Sequence, residues 1–157
     1  MSSRTLDLKV PVALAHGATS SLSRRAAAFG IDIVLVATIS LAVSIGLHLL
    51  LVLFVPSVLE QERWVVAGAF AVCATAYFVG FWTREGSTPG QHIMGLRLAL
   101  AEYPDNPGPI GGPRAVVRFA TMVGSGILLL DFLVAFLHRE RRSLHDLAAG
   151  TIVVSES

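Results

Sequence analysis

The amino-acid sequence contains few charged residues and a single cysteine. Charged residues make up 15% of its 157 positions, against roughly 25% in ordinary soluble domains. The one cysteine, Cys73, excludes an internal disulfide, and no Cys or His lies near it with the spacing of a metal site. A formal net charge of +1 gives no reason to expect a nucleic-acid partner. We therefore expect neither a bound metal nor a cofactor. The low content of charged residues is also unlike that of a soluble domain.

Recognisable catalytic motifs are also missing from the sequence. It contains no G-x-S-x-G, H-E-x-x-H or phosphate-binding loop and no cysteine pair. The Ser, His and Asp residues suggest no catalytic triad. An internal repeat of the kind many secondary transporters carry is absent as well. The sequence therefore predicts a protein that is not an enzyme.

Long apolar runs make up much of the sequence. Residues 26–55 and 64–82 are each long enough for a membrane-spanning helix, which needs about 20 residues. A third run, residues 115–137, is interrupted by charged residues and by a Gly-Ser-Gly sequence at 124–126. We predict an all-α membrane protein with two full transmembrane helices, plus a third segment that is either one span or a helical hairpin. Residues 1–23 are expected to be a flexible polar leader, and residues 24–157 the transmembrane domain.

The distribution of Lys and Arg predicts the orientation in the membrane. Four basic residues precede the first helix, three lie in the loop 84–114 and three follow the third segment. The positive-inside rule places the N-terminus and the long loop in the cytoplasm. A hairpin in the third segment would return the tail to the same side, whereas a straight span would leave it outside. Two short strand-like pieces, residues 95–101 and 150–155, could pair only if both lie on one side, which favours the hairpin.

Ionisable residues inside the apolar segments need a physical reason to be there. Asp32 is the one formal charge in residues 26–55, and a carboxylate within a lipid-buried helix normally faces protein or water. Arg25 precedes it by two helical turns on nearly the same face, so a third group or a ligand would have to lie between them. In the third segment, a hairpin would bring Arg118 and Asp131 to similar depth, where they could form an ion pair.

Four motifs in order resemble the RDD family of small bacterial integral membrane proteins, named for one arginine and two aspartates. The motifs are RRAAAFGID (24–32), STPGQHIMGLRL (87–98), RAVVR (114–118) and RSLHDLAAGTIVV (142–154). The resemblance runs from about residue 22 to residue 154. It implies that the family's arginine and two aspartates fall on Arg25, Asp32 and Asp146, as a candidate ion or ligand site or a helix-packing site. The supporting polar residues are Arg118, Asp131, Gln91 and His145.

Each of these residues also has a structural interpretation that the sequence leaves open. Arg25 could be a membrane anchor that reaches lipid phosphates. Asp32 could form a structural pair with a basic residue such as Arg118. Asp146 could merely cap the tail by accepting from backbone N–H groups, and His145 is expected not to bind a metal.

Two functions follow from the resemblance and the composition. One is transport of an unidentified ligand, with cation/proton exchange at intramembrane carboxylates. The other is a non-catalytic accessory or scaffold subunit of a larger membrane transport complex. In both cases we expect a multi-pass protein of the bacterial inner membrane. Its partners would be the lipid bilayer and either further copies of itself or a larger membrane protein.

Overall fold

A computed structural model describes residues 20–54, 62–125, 129–137 and 142–155. Its two longest elements are α1 (Leu22–Phe54) and α2 (Glu62–Arg84), and both are long and apolar enough to cross a membrane. Helix α1 has 33 residues, which at 1.5 Å per residue gives about 50 Å, more than the roughly 30 Å of a hydrocarbon core. The chain is mostly helical, as predicted, and it carries two apolar helices of membrane-spanning length.

Helix α1 buries every fourth residue along one face. The buried positions are Ala28, Asp32, Val36, Ser40 and Ser44, a spacing that keeps side chains on one side of a helix. The other faces carry exposed aliphatic side chains, which suit contact with lipid tails. The length of α1 and the breadth of its exposed apolar surface are those of a lipid-facing helix.

The remaining elements pack together beside the start of α1 and the end of α2. In chain order these elements are α3 (Pro89–Ile93), β1 (Leu96–Leu100), α4 (Gly112–Gly124), α5 (Leu129–Leu137), α6 (Leu144–Ala149) and β2 (Thr151–Ser155). Strands β1 and β2 pair antiparallel, with Leu96 opposite Ser155 and Leu100 opposite Thr151. These strands occupy the two strand-like pieces seen in the sequence, so the segment after α2 and the tail meet in space.

The connection from α2 to α4 folds back against β1. Gly86 has a φ of +70°, and its carbonyl oxygen accepts from the backbone N–H of Leu98. Further along, Gly108 donates to the carbonyl oxygen of Leu98, and Ile110 donates to that of Trp82. A side chain at Gly86 would overlap the backbone of Gly108, which explains why glycine stands at this turn.

The third apolar segment contains two helices, α4 and α5. Residues 126–128, which join them, lie outside the described residues. Helix α6 packs against both α4 and α5, and β2 then returns to β1. The chain therefore leaves β1 and comes back to it after passing through α4, α5 and α6. Residues 1–19, most of the expected leader, also lie outside the described part.

The buried core lies where the first turns of α1, the last turns of α2 and the sheet meet. Phe78 and Trp82 of α2 are its largest aromatic members, with ring centroids 5.4 Å apart. Its other buried members include Ala28, Val36, Tyr77, Leu96, Leu98, Ile110, Ala115, Met122 and Val153. The four sequence motifs pack around this core, and their polar side chains form the candidate site beside it.

Candidate functional site

Asp146 lies at the centre of an ionic cluster, which we call the Asp146 cluster: Arg25, Arg118 and Asp146. Its carboxylate is fully buried. Oδ2 accepts from Nη1 of Arg25 at 2.9 Å, and Oδ1 accepts from Nη1 of Arg118 at 2.5 Å. The cluster joins the start of α1, the middle of α4 and the start of α6, three elements far apart in sequence.

The local sequence around Asp146 builds the start of α6. Ser143 is the N-cap residue, and Asp146 stands at the third helical position in a capping box. Oδ2 of Asp146 accepts from the backbone N–H of Ser143 at 3.2 Å and from its hydroxyl at 2.8 Å. Gly150 ends the helix in the left-handed conformation, with a φ of +64°. Asp146 does cap the helix, but it also neutralises two arginines, which the capping interpretation did not include.

The pKa of Asp146 is set by opposing effects. Burial alone would raise the pKa of this carboxyl. The charges of Arg118, His145 and Arg25, with the hydrogen bonds from Ser143, outweigh burial and hold the pKa well below its usual range. Asp146 is therefore ionised throughout the physiological range and is unsuited to exchanging a proton.

Both arginines of the cluster make further contacts that fix their direction. Arg25 donates through Nε to the hydroxyl of Ser20 at 2.7 Å and through Nη2 to the carbonyl oxygen of Val153 at 3.1 Å. Its side chain is only 9% exposed, so it is not the lipid-facing anchor considered from the sequence. Arg118 donates to the hydroxyl of Thr151 at 2.5 Å and lies over the ring of Trp82, with Cζ 4.9 Å from the ring centroid.

Asp32 forms a second, separate site, in which its donors are neutral. Its Oδ1 accepts from the hydroxyl of Tyr77 at 2.7 Å and from the backbone N–H of Gly90 at 2.8 Å. Its Oδ2 accepts from the hydroxyl of Thr88 at 2.6 Å. Asp32 is 2% exposed. It faces protein, as expected. The pairing with Arg118, one of the interpretations that the sequence left open, does not form, because Arg118 pairs with Asp146 instead.

Helix α3 is built to receive the Asp32 carboxylate. Thr88 is its N-cap and Gln91 completes a capping box, in which the side chain of Gln91 accepts from the backbone N–H of Thr88 at 2.9 Å. Gln91 also accepts from Nε1 of Trp82 at 3.3 Å. A Cβ at Gly90 would overlap the carbonyl oxygen of Ala28 and approach Oδ1 of Asp32 to 2.7 Å. Glycine is therefore required for α3 to come this close to α1.

A cavity of about 60 Å³ lies between the two sites. Arg25 and Asp32 both line it, so the space that their spacing left for a third group does exist. The residues that contribute to its wall include Phe29, Phe78, Trp82, Gln91, Arg118, Met122, Ala135, Ser143, His145 and Val153. Asp32 and the two arginines of the Asp146 cluster, Arg25 and Arg118, therefore line the same cavity.

The remaining predicted residues occupy different positions. His145 lies beside the Asp146 cluster, with Nε2 3.1 Å from Oγ of Ser143 and 3.8 Å from Oδ1 of Asp146. In the described part of the chain, no three His, Cys, Asp or Glu residues are grouped as they would be around a metal ion. The side chain of Asp131, and with it the expected Arg118–Asp131 pair, lies outside the described residues.

Sequence reasoning missed four residues that complete the sites. Tyr77 and Thr88 hold Asp32, while Thr151 and Trp82 hold Arg118. The T-x-x-Q pattern from Thr88 to Gln91 was a readable helix-start signal. Tyr77 carried no such signal, because an aromatic residue in an apolar helix suggests packing alone.

Comparison with known proteins identifies the family of the chain. The model of the RDD family matches residues 19–150, a range that includes Arg25, Asp32, Arg118 and Asp146. No curated protein and no solved structure matches the chain significantly. Since the family model covers most of the sequence, this membrane protein belongs to the RDD family.

Proposed function

We propose that this protein is a transport component of the bacterial inner membrane in which the carboxylate of Asp32 binds and releases a proton. The proposal assigns no enzymatic role to the chain. The observation that carries it is the setting of Asp32. This buried carboxylate in a helix of spanning length receives its hydrogen bonds from neutral donors and lines a cavity. Intramembrane carboxylates in such settings mark ion and proton pathways.

The hydroxyl of Thr88 supports both protonation states of Asp32. With Asp32 ionised, this hydroxyl donates to Oδ2 while accepting from the backbone N–H of Gln91 at 3.2 Å. A hydroxyl has one donor and two acceptor positions. If Asp32 is protonated on Oδ2, rotation of the Thr88 hydroxyl lets it accept from the carboxyl instead. Proton uptake then needs no movement of the backbone.

A proton suits this site better than a metal cation. Hard cations require several oxygen ligands, whereas one of the three donors to Asp32 is the backbone N–H of Gly90, which offers no lone pair. Cation/proton exchange, which the family resemblance implies, would require the hydroxyls of Tyr77 and Thr88 to turn their lone pairs toward the ion. The ion carried by Asp32 in this proposal is therefore the proton.

The proposal places the start of α1, the loop 84–114 and the tail in the cytoplasm, with α4 and α5 as a helical hairpin. The pairing of β1 with β2 supports this topology, as does the bond from Arg25 to Val153, because both join the tail to the side on which α1 begins. Helix α4 has 13 residues, or about 20 Å, which is too short to cross the membrane alone. Two spans and a hairpin are too few to enclose a pathway across the membrane. The transporting unit would therefore be a homo-oligomer or a complex with a larger membrane protein.

The test is proton movement in vesicles that contain the purified chain. We expect the chain to dissipate an imposed pH gradient, reported by an enclosed pH-sensitive dye. Asp32→Asn should abolish this activity with protein abundance almost unchanged, because an amide keeps the size of the side chain but cannot exchange a proton. Asp105→Asn, at an exposed carboxylate in the loop 84–114, is the matched control and should retain activity. Undiminished proton movement with Asp32→Asn would exclude the proposal.

A second candidate function is an accessory or scaffold subunit. The Asp146 cluster favours it, because a carboxylate locked by two arginines rigidifies the chain without exchanging anything. If this role is correct, a larger partner should co-purify in a fixed ratio in mild detergent. The chain alone would then move no protons in vesicles, with or without Asp32→Asn.

A further inference from the structure

We infer that the cavity between Asp32 and Arg118 binds one small monovalent anion of halide size, held by Nε–H of Arg118. This inference rests on the proposed function, since the anion would be the ion that accompanies the proton on Asp32. It goes beyond that function by naming the chemistry of the second ion. Four observations lead to it: an unpaired donor, occupied acceptors, the cavity volume and the local charge balance.

The unpaired donor is Nε of Arg118. The side chain of Arg118 is 1% exposed and lines the cavity, yet Nε makes no hydrogen bond within the described part of the chain. Buried donors without a partner are rare, and each calls for an explanation such as a bound ion or water. The Nη1 atom of the same guanidinium already serves Asp146 and Thr151. The Nε–H group of Arg118 is thus available to an acceptor inside the cavity.

The carboxylate and amide oxygens in and behind the cavity wall already accept hydrogen bonds from the protein. The carboxylate of Asp32 accepts three hydrogen bonds, and each oxygen of Asp146 accepts at least two. Oε1 of Gln91 accepts two more. An occupant that only accepts, as an anion does, therefore fits this wall better than one that must also donate.

The volume limits the size of the occupant. The cavity measures about 60 Å³, whereas about 10–15 Å³ of such space is enough for one water molecule. A chloride or bromide ion fits, whereas a sugar, nucleotide or amino acid does not. Much of the wall is apolar, from Phe29, Phe78 and Met122, which suits a weakly hydrated monovalent ion. The alternative occupant is a small group of water molecules.

Charge balance couples the anion to a proton. Arg25 and Arg118 offset the ionised Asp32 and Asp146, so an added anion leaves a negative charge uncompensated in a buried site. Protonation of Asp32 restores neutrality, and anion and proton should bind together. The titratable and charged groups around Asp32 and its cavity in the described residues are Arg25 on α1, Tyr77 on α2, Arg118 on α4, and His145 and Asp146 on α6.

Bromide quenching of Trp82 fluorescence tests this inference. The Trp82 ring lines the cavity and packs against Arg118. Trp64→Phe removes the only other tryptophan, which is exposed. In the purified full chain in detergent, with gluconate keeping ionic strength constant, we expect quenching that saturates and that chloride competes away. The apparent affinity should rise by up to about tenfold for each unit of falling pH, because one proton accompanies each anion.

Variants separate the anion from water. Arg118→Lys keeps the charge beside Asp146 but removes Nε–H, and it should abolish the saturable quenching. Arg24→Lys, at an exposed arginine near the start of α1, should leave the quenching unchanged. If Arg118→Lys does not fold, Ala135→Leu, which fills the cavity from α5, should abolish the quenching instead. Asp32→Asn should keep bromide binding but remove its pH dependence.

The outcomes distinguish this inference from the proposed function. Quenching that rises linearly with bromide and is the same in the cavity variants would overturn the anion site and leave a water-filled cavity. Proton movement without saturable quenching would reject the anion site and keep the proton role of Asp32. Saturable quenching without proton movement would keep the anion site and reject transport.

Discussion

Arg25 and Asp146 stand 121 residues apart in the sequence, and their side chains form an ion pair of 2.9 Å. The pair joins the first turn of α1 to the last helix of the chain. Arg118 completes it from α4, so one carboxylate holds three helices in place. Of the two aspartates of the RDD pattern, Asp146 therefore makes a structural clamp, whereas Asp32 lies in a neutral and more adaptable setting.

Removing the charge of Asp146 should unfold this region. Asp146→Asn leaves Arg118 and Arg25 buried without their counter-charge, and breaking a buried pair in this way typically costs about 3–5 kcal/mol. A helix cap alone would cost only about 1 kcal/mol. Thermal unfolding in detergent, followed by loss of the monodisperse peak, should show a large drop for Asp146→Asn. Asp105→Asn provides the exposed control, and equal stability of the two variants would refute the clamp.

The stabilisation from Asp146 should depend on pH only in acid. Because the Arg118, His145 and Arg25 charges, after opposing the effect of burial, lower the pKa of Asp146 in the folded state, its contribution is fully present above the ordinary carboxyl pKa of about 4. It is lost as pH falls through the lowered pKa of the folded chain. The stability difference between the wild type and Asp146→Asn should therefore stay constant from pH 8 to pH 5 and shrink below about pH 4. A difference that shrinks already between pH 8 and pH 6 would contradict this assignment.

Gly90 should tolerate no side chain. Gly90→Ala would place a Cβ against the carbonyl oxygen of Ala28 and 2.7 Å from Oδ1 of Asp32, pushing α3 away from α1. Overpacking of this kind costs about 1–3 kcal/mol, and the Gly90 N–H to Asp32 bond would lengthen. Gly30→Ala is the matched control, because a Cβ at Gly30 meets nothing within 4 Å. Comparable melting temperatures for both variants would show that the close approach of α3 is unimportant.

The sequence allowed the elements to be predicted better than their contacts. Hydropathy located α1 and α2, because lipid-facing helices must be apolar over a fixed length. It also indicated that Asp32 faces protein, since a carboxylate facing lipid is unfavourable. The capping boxes at Thr88–Gln91 and Ser143–Asp146 were readable because they are local patterns.

The pairing of charges could not be read in the same way. The sequence suggested Asp32 and Asp131 as partners of Arg118, and nothing local pointed to Asp146. The choice depends on how β2 returns to β1, which places Thr151 and Asp146 beside α4. Tyr77 and Thr88 reach Asp32 from 45 and 56 residues away, a distance at which a single sequence carries no periodic signal.

The topology predicts which ends of the helices are accessible from outside the cell. In a Cys73→Ala background, a cysteine introduced by Asp105→Cys lies in the exposed loop before α4. We expect no reaction with a membrane-impermeant maleimide in intact cells, and full reaction after permeabilisation. Phe54→Cys, at the opposite end of α1 and at a residue that is 74% exposed, should react more readily in intact cells. Labelling of the Asp105→Cys variant without permeabilisation would show that the loop lies outside the cell and that the proposed orientation is wrong.

The hydroxyl of Thr88 should be needed for proton exchange at Asp32. Thr88→Val keeps the shape of the side chain but removes the group that donates to Oδ2 of Asp32 and accepts from the N–H of Gln91. Without a hydroxyl that can turn, the carboxyl loses a partner in both protonation states, and α3 loses its N-cap, worth about 1 kcal/mol. We expect slow dissipation of a pH gradient by Thr88→Val in vesicles and a nearly normal rate for Thr88→Ser, which retains the hydroxyl. Each rate is to be divided by the amount of folded protein, since the lost cap lowers abundance on its own. Equal normalised rates for the valine and serine variants would mean that Thr88 only caps α3 and takes no part in proton exchange.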